Sequence, residues 1–188
     1  MRIFALLLAS VLGLAACTTT PSGPTTGADG KPLPKLYRIN PGQESRIQFR
    51  MLDSVNALRE VAGAPPLQLN AALNAAAATH ALDMSVQNRP WHFGSDGSSP
   101  VQRVQRAGYT LTLLGQNLSE TFETEIQTLA AWMEQPDTKA VILDPQGKDM
   151  GFSWFQEPGG KIWWMLIVGG GEPAYIQAPS PVADLAQG

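Results

Sequence analysis

The chain has 188 residues, with 13 Lys and Arg against 16 Asp and Glu, and its formal net charge at pH 7 is −3. A mildly acidic chain offers no basic surface to a phosphate backbone, which excludes nucleic acid as a partner. The single cysteine, Cys17, excludes an internal disulfide.

The N-terminus has the parts of an export signal. Arg2 supplies a positive charge before an apolar run at residues 3–14. This run of 12 residues is too short to span a bilayer as a helix. The stretch LAAC at residues 14–17 resembles the lipobox of bacterial lipoproteins. An ordinary secretory signal with an incidental cysteine is the alternative.

The lipobox resemblance implies that residues 1–16 are a signal peptide. It also implies that the thiol of Cys17 takes a diacylglycerol, and that the amine freed by cleavage is open to a further acyl chain such as palmitate. Two or more chains anchor a protein stably, so we expect a lipid-anchored, extracytoplasmic protein of a bacterial membrane. If the source has two membranes, Thr18, where aspartate would signal retention, indicates the periplasmic face of the outer membrane.

Both ends of the chain are poor in core-forming residues. Residues 18–40 are rich in Thr, Pro and Gly, and such a composition cannot bury enough surface to offset chain entropy. We therefore interpret residues 17–40 as the lipidated cysteine and a flexible tether, and residues 172–188 as a loose tail. Residues 41–171 between them suffice for one domain with one core.

Two helices are predicted in the first half of this domain. Apolar residues at helical spacing form one stripe that Gly63 ends: Ile47, Met51, Val55, Leu58 and Ala62. A second helix runs from Asn70, as its N-cap, to about residue 87. Its inward residues are Leu73, Ala77, His80 or Ala81, and Met84.

Residues 88–99 contain Pro, two Gly and small polar residues and are predicted to be irregular. Ser99 and Pro100 suit the N-cap and first position of a short helix that stops at Gly108. Residues 109–120 carry no assigned element. Apolar spacing then indicates a helix that Pro136 interrupts and that resumes as a shorter turn toward residue 143: Ile126, Leu129, Ala130 and Met133.

The last third changes its hydrophobic period. Residues 150–157 and 161–168 are rich in aromatic and β-branched side chains, and the Pro-Gly-Gly between them signals a turn, which predicts an antiparallel hairpin. Alternation places Trp163 and Trp164 on opposite faces of their strand. Helices first and strands late indicate an α+β layered domain.

Five stretches together resemble the CAP superfamily, the SCP-like domain of cysteine-rich secretory, antigen 5 and pathogenesis-related proteins, in its bacterial form. They occur in the family's order: VNALREVAGAPPLQLNAALNAAAATHALDM at 55–84, WHFGSDGSSPVQRVQRAGY at 91–109, GQNLSE at 115–120, WMEQPDTKAVILDP at 132–145 and MGFSWFQEPGGKIWWMLIVG at 150–169. The resemblance implies a three-layer α-β-α sandwich with a small central antiparallel sheet of about three strands.

The resemblance also implies a cleft, which in the family is lined by two histidines and two acids and binds divalent metal in some members. His92 matches the first histidine. Gln116, followed by Asn117, stands at the first acid position. Thr138 matches the second histidine, and Gln135 stands where animal and plant relatives carry the second acid. The expected cleft is therefore only partly equipped.

This residue set argues against a metal and against any other cofactor. Zinc sites draw three or four ligands from Cys, His and carboxylate, and only His80 and His92 remain once Cys17 is lipidated. Carboxylates would have to converge on them, from among Glu120, Glu125 and Glu134. Gln116 beside His92 can form a hydrogen bond but supplies no charge to a general base. His80 lies on the inward stripe of its helix, as a core or cleft-wall residue with Asp83 as a helical partner.

Our first functional hypothesis is a non-enzymatic binding or interaction module of the cell envelope. Its cleft would bind an envelope component, an apolar small molecule or another protein. The alternative is a hydrolase or metal-dependent enzyme that uses the His92 cleft with Gln116 and a carboxylate. A third hypothesis is a structural role with an unused cleft.

Replacing Cys17 by Ser removes the only thiol and therefore the lipid attachment point. Cells grown with a radioactive fatty acid should label the wild-type protein and a Thr18→Ser control, but not Cys17→Ser. The variant should accumulate as uncleaved precursor or as a soluble form. Equal labelling of wild type and Cys17→Ser would refute the lipoprotein assignment.

Overall fold

The computed structural model of the protein describes residues 36–173. The signal peptide, Cys17, the tether up to residue 35 and the tail from residue 174 lie outside this range. The elements in chain order are α1 (Glu44–Val61), β1 (Gln68–Leu69), α2 (Ala71–Gln87), α3 (Pro100–Arg106), β2 (Leu111–Thr121), α4 (Glu125–Glu134), α5 (Pro136–Leu143), β3 (Gly147–Gln156) and β4 (Ile162–Pro173). Within residues 36–173 no helix combines the length and apolarity needed to cross a membrane.

The predicted helix boundaries follow from local capping. The Asn70 side chain accepts hydrogen bonds from the amides of Ala72 and Leu73 and so begins α2. The Ser99 hydroxyl and the Gln102 side chain form a capping box at the start of α3, with Pro100 at its first position. These helices lie where the sequence predicts them.

The sheet has the order β1-β3-β4-β2. Strands β3 and β4 pair antiparallel and form the predicted hairpin. Strand β2 also pairs antiparallel with β4, on its other side. The two-residue strand β1 pairs parallel with β3. One face of β4 packs Trp163 against α2, and the other packs Trp164 with residues of α1, α4 and α5. The domain is thus the expected α-β-α sandwich, around a small and mainly antiparallel sheet that has four strands, where about three were expected.

The unassigned residues 109–120 contain all but the last residue of β2, an eleven-residue strand at the sheet edge. Its alternation is irregular because the register with β4 shifts twice, between Leu111 and Thr112 and between Leu113 and Gly115. A Cβ at Gly115 would lie 2.6 Å from a methyl of Val141, so this glycine lets α5 approach the strand closely.

The domain begins earlier than predicted, because residues 36–40, assigned to the tether, dock onto the hairpin. The Gln156 side chain accepts from the Ile39 amide at 3.0 Å and donates to the Tyr37 carbonyl at 2.9 Å. The Tyr37 hydroxyl donates to Glu125 at 3.1 Å. Composition could not reveal these contacts, since both partners lie far along the chain. The domain also ends later than the predicted residue 171, because β4 runs to Pro173.

A fully buried arginine connects α1 to three neighbouring segments by hydrogen bonds. Arg59 donates to the carbonyls of Pro65 at 2.7 Å, Ile142 at 2.7 Å and Gly147 at 3.4 Å. Burial lowers the pKa of Arg59, and the charge of Asp144 opposes that shift. The guanidinium thereby satisfies two buried carbonyls, those of Ile142 and Gly147, and one at the more exposed Pro65.

Arg59→Met should therefore destabilise the fold by on the order of 3 kcal/mol, because it keeps the side-chain length but leaves buried carbonyls without donors. Urea unfolding of the full-length protein measures this. Arg46→Met, on the exposed face of the same helix, is the matched control and should change the stability by no more than about 0.5 kcal/mol. Equal stability of the two variants would contradict the role of Arg59.

Candidate functional site

Three separate segments bring polar side chains together beside α3. The irregular loop contributes His92, α3 contributes Arg103 and the edge strand β2 contributes Gln116. The Gln116 amide nitrogen lies 2.7 Å from His92 Nδ1, and its Oε1 accepts from Arg103 Nη1 at 3.2 Å. Arg103 Nη2 donates to the His92 carbonyl at 2.8 Å. We call these three residues the Arg103 network.

The Arg103 network defines the protonation of His92. The carboxamide NH2 of Gln116 can only donate, so the neutral imidazole accepts at Nδ1 and carries its proton on Nε2. Burial lowers the pKa of His92, and the charge of Arg103 lowers it further. His92 is therefore neutral at pH 7, with the basic nitrogen already engaged.

His80 of α2 is held beside this network. Its Nε2 lies 2.7 Å from the Trp91 carbonyl, and because a carbonyl only accepts, Nε2 carries the proton. Its Nδ1 is buried and has no hydrogen-bond partner in the described part of the chain. Burial and then the charge of Arg103 lower the pKa of His80 to about 4.

Asp83, one turn further along α2, holds the loop in place. Its carboxylate accepts from the Ser95 amide and from Gln87 Nε2, each at 2.9 Å. Burial raises the pKa of Asp83, but the hydrogen bonds from Ser95 and Gln87 outweigh this, so the pKa is lowered. Asp83 Oδ2 lies 3.7 Å from His80 Nδ1, which agrees with the expected helical pairing.

A cavity of about 340 Å³ lies between α2, the loop and α3. The residues that give it polar character include His80, Asp83, Ser95, Asp96, Arg103 and Arg106. Small side chains of α2, including Ala75 and Ala76, form part of its wall. Concave sites with a few convergent polar groups are the usual places for small ligands.

The remaining residues of the expected cleft contact a different layer. Asn117 follows Gln116 on β2, so its side chain points to the opposite face of the sheet. There Asn117 Nδ2 donates to the Thr138 carbonyl at 2.9 Å. The Thr138 hydroxyl donates to the carbonyls of Trp132 and Gln135, and the Gln135 side chain is exposed. The structure thus joins His92 to Gln116 and joins Asn117 to Thr138 and Gln135.

The residues do not fit a divalent metal. Within residues 36–173 no three His, Cys, Asp or Glu side chains come together as ligands could. Glu120 pairs with Lys161 at 3.2 Å, and Glu125 contacts Arg50 and Tyr37. The cation beside His92 is instead the guanidinium of Arg103.

Sequence reasoning missed Arg103. It shares a short helix with Arg106, three residues on, and nothing local distinguishes the two. Arg103 is buried, whereas the Arg106 side chain is 63% exposed and pairs with Asp96 at 2.7 Å. Only the packing of the two flanking segments, the loop and β2, against α3 makes Arg103 part of the site.

Comparison with known proteins settles the family. The sequence profile of the CAP family, described as the cysteine-rich secretory protein family, matches residues 52–168. The chain belongs to this family. The predicted resemblance is confirmed.

Relatives of this CAP domain include the uncharacterised protein YkwD of Bacillus subtilis, 25% identical over 129 residues. The match covers 69% of this chain and 49% of YkwD, so the chain spans about half of that relative.

Solved structures share the fold. An extracellular protein with an SCP domain from Bacillus anthracis matches 72% of this chain and 45% of its own, with a TM-score of 0.63 and 17% identity. An outer surface protein of Borrelia burgdorferi matches 73% of this chain and all of its own, with a TM-score of 0.61 and 17% identity.

The low pKa of His80 makes the stability of this CAP domain depend on pH. The pKa is about 4 when folded against a reference value of 6.5, so as the pH falls the unfolded chain takes the proton first. The contribution of neutral His80 is complete above about pH 6.5, shrinks below it and is lost by about pH 4.

We therefore expect wild type to lose on the order of 2 kcal/mol more stability than His80→Gln between about pH 7 and about pH 4. Urea unfolding at the two pH values measures the difference. Gln keeps an N–H donor for the Trp91 carbonyl but does not titrate, so it isolates the imidazole. Parallel losses in the two proteins would contradict the prediction.

Proposed function

We propose that the protein is a non-enzymatic ligand-binding CAP domain. The observation that carries this proposal is the Arg103 network, in which a neutral amide and a buried guanidinium occupy the surroundings of His92. Such a centre holds a histidine in one orientation but supplies neither a carboxylate partner nor a metal-bound water.

Hydrolysis requires a base that can take a proton from water or from a side-chain nucleophile. His92 Nδ1 already accepts a hydrogen bond from Gln116, and its Nε2 carries the proton. His80 Nδ1 is buried, and with a pKa of about 4 it is a weak base at neutral pH. Neither histidine is therefore arranged as a general base.

The cavity beside the Arg103 network supports a binding role. It is concave, it has both hydrogen-bond donors and acceptors, and two helices and the loop between them position these groups. Its charged side chains offer hydrogen bonds to a polar ligand, and its apolar wall keeps the apolar small molecule as an alternative. An envelope component or a polar part of another protein would use the charged side chains.

We propose further that lipid on Cys17 anchors this domain outside the cytoplasm of a bacterium. The lipobox-like stretch at residues 14–17 supports the anchor. The structural relatives from Bacillus anthracis and Borrelia burgdorferi are described as extracellular and outer surface proteins, which supports an extracytoplasmic location. In a source with two membranes, Thr18 favours the periplasmic face of the outer membrane.

Zinc titration separates this proposal from the metal-dependent alternative. Calorimetry on the full-length protein should detect no tight binding, and zinc should not raise the unfolding temperature. A true ligand at 100 times its Kd would add about 2.7 kcal/mol, a shift that is easily seen. Gln116→Glu should also bind zinc weakly, because the new carboxylate would pair with Arg103.

The double variant Gln116→Glu and Thr138→His tests whether position 138 serves the same site. Thr138 contacts the Asn117 side of β2, so we expect no gain over Gln116→Glu alone. Tight one-to-one zinc binding by wild type that is lost in His92→Ala would overturn the non-enzymatic proposal. It would favour a metal-dependent enzyme instead.

A further inference from the structure

The cavity carries two opposite charges that no ion pair neutralises. Within residues 36–173, Asp83 accepts hydrogen bonds only from the neutral groups of Ser95 and Gln87. Arg103 donates only to the neutral oxygens of Gln116 and His92 there. Both side chains line the same cavity. By contrast, the two other charged residues of its lining, Asp96 and Arg106, pair directly at 2.7 Å.

The unpartnered nitrogen of His80 gives an independent indication of a ligand. Nδ1 is an acceptor without a donor, and it lies 3.7 Å from Asp83 Oδ2. A donor atom about 2.8 Å from each would see the two acceptors at an angle of roughly 80°. Two N–H bonds of one ammonium group can serve both acceptors, whereas a single O–H bond cannot.

Arg103, which lines the same cavity, offers donors. A guanidinium has five N–H donors, and the contacts with Gln116 and His92 leave some of them for a ligand. A carboxylate is the matching group, because charge-assisted bonds to arginine are stronger than bonds between neutral groups. The small side chains of Ala75 and Ala76 form part of the same lining.

Resting on the binding function above and deepening it, we propose that this cavity binds a zwitterionic amino acid or short peptide. The ammonium group lies against Asp83 and His80 Nδ1, and the carboxylate lies against Arg103. A neutral sugar would leave both Asp83 and Arg103 without an opposite charge, and a ligand with a single charge would leave one of them without it.

Diglycine and two analogues test the ammonium and the carboxylate group separately. They leave Arg103 unchanged, whereas replacing Arg103 would also break its contacts with Gln116 and His92. N-acetyl-diglycine lacks the ammonium charge, and diglycine amide lacks the carboxylate. Calorimetry on the full-length protein should show one-to-one binding of diglycine. Each analogue should bind at least about tenfold more weakly.

Asp83→Asn should bind diglycine and N-acetyl-diglycine equally, because it removes the charge that the ammonium group meets. Asp137→Asn, on exposed α5, is the matched control and should keep the wild-type preference. Nitrogen NMR should show the Nδ1 signal of His80 moving when diglycine is added to wild type. Unchanged melting behaviour of both variants verifies the fold.

Equal binding of all three probes, or no binding of any, overturns the zwitterion proposal. So does diglycine binding that leaves the His80 signal unmoved, since a water molecule alone would then serve Nδ1. The zinc titration reports separately on the proposed function. Tight zinc binding overturns that function whatever diglycine does, whereas absent zinc binding with absent diglycine binding overturns the ligand class alone.

Discussion

The guanidinium of Arg103 is the group around which the site is organised. A charge taken out of water costs several kcal/mol unless hydrogen bonds compensate it, and Arg103 is buried. Burial lowers its pKa to about 10, while the charges of Asp83 and Asp96 oppose the shift. Its two hydrogen bonds join α3 to β2 and to the loop that carries His92. These three segments have to come together for the cation to be tolerated.

Arg103 also acts on His92 through Gln116. A carboxamide has one acceptor oxygen and one donor nitrogen. Because its oxygen faces Arg103, its nitrogen faces His92 Nδ1. The imidazole tautomer therefore follows from the position of a cation on another helix. A glutamate here would pair with Arg103 and favour protonated His92, which is a different electrostatic environment from one neutral amide.

The central sheet decides which polar residues meet. Gln116 and Asn117 are neighbours on β2, yet the first contacts Arg103 and the second contacts Thr138. The same alternation directs Trp163 and Trp164 into different hydrophobic clusters. Both tryptophans are fully buried, so neither forms the exposed binding surface that an isolated hairpin would allow. Trp91, by contrast, is exposed, and its backbone carbonyl forms a hydrogen bond with His80.

Local chemistry in the sequence determined most of the fold. Asn70 and Ser99 begin helices through side chains that cap the next few amides, and Pro-Gly-Gly turns the hairpin, so these elements could be predicted without any distant partner. The family motifs, in order, predicted the layered architecture. The edge strand β2 was missed because its register shifts blur the alternation. The docking of Tyr37 could not be predicted because its hydrogen-bond partners, Glu125 and Gln156, lie far away in the sequence.

The candidate site depended much more on tertiary structure. His92 and Gln116 could be matched to the family by motif, but a motif carries no information about a third group from another helix. Arg103 became a site residue only when α3 packed beside β2. His80 and Asp83 came to line one cavity only when the loop packed against α2. Hydrogen bonds and burial act between atoms that fold together, so the charge state and accessibility of these groups were decided by packing and not by neighbouring residues in the chain.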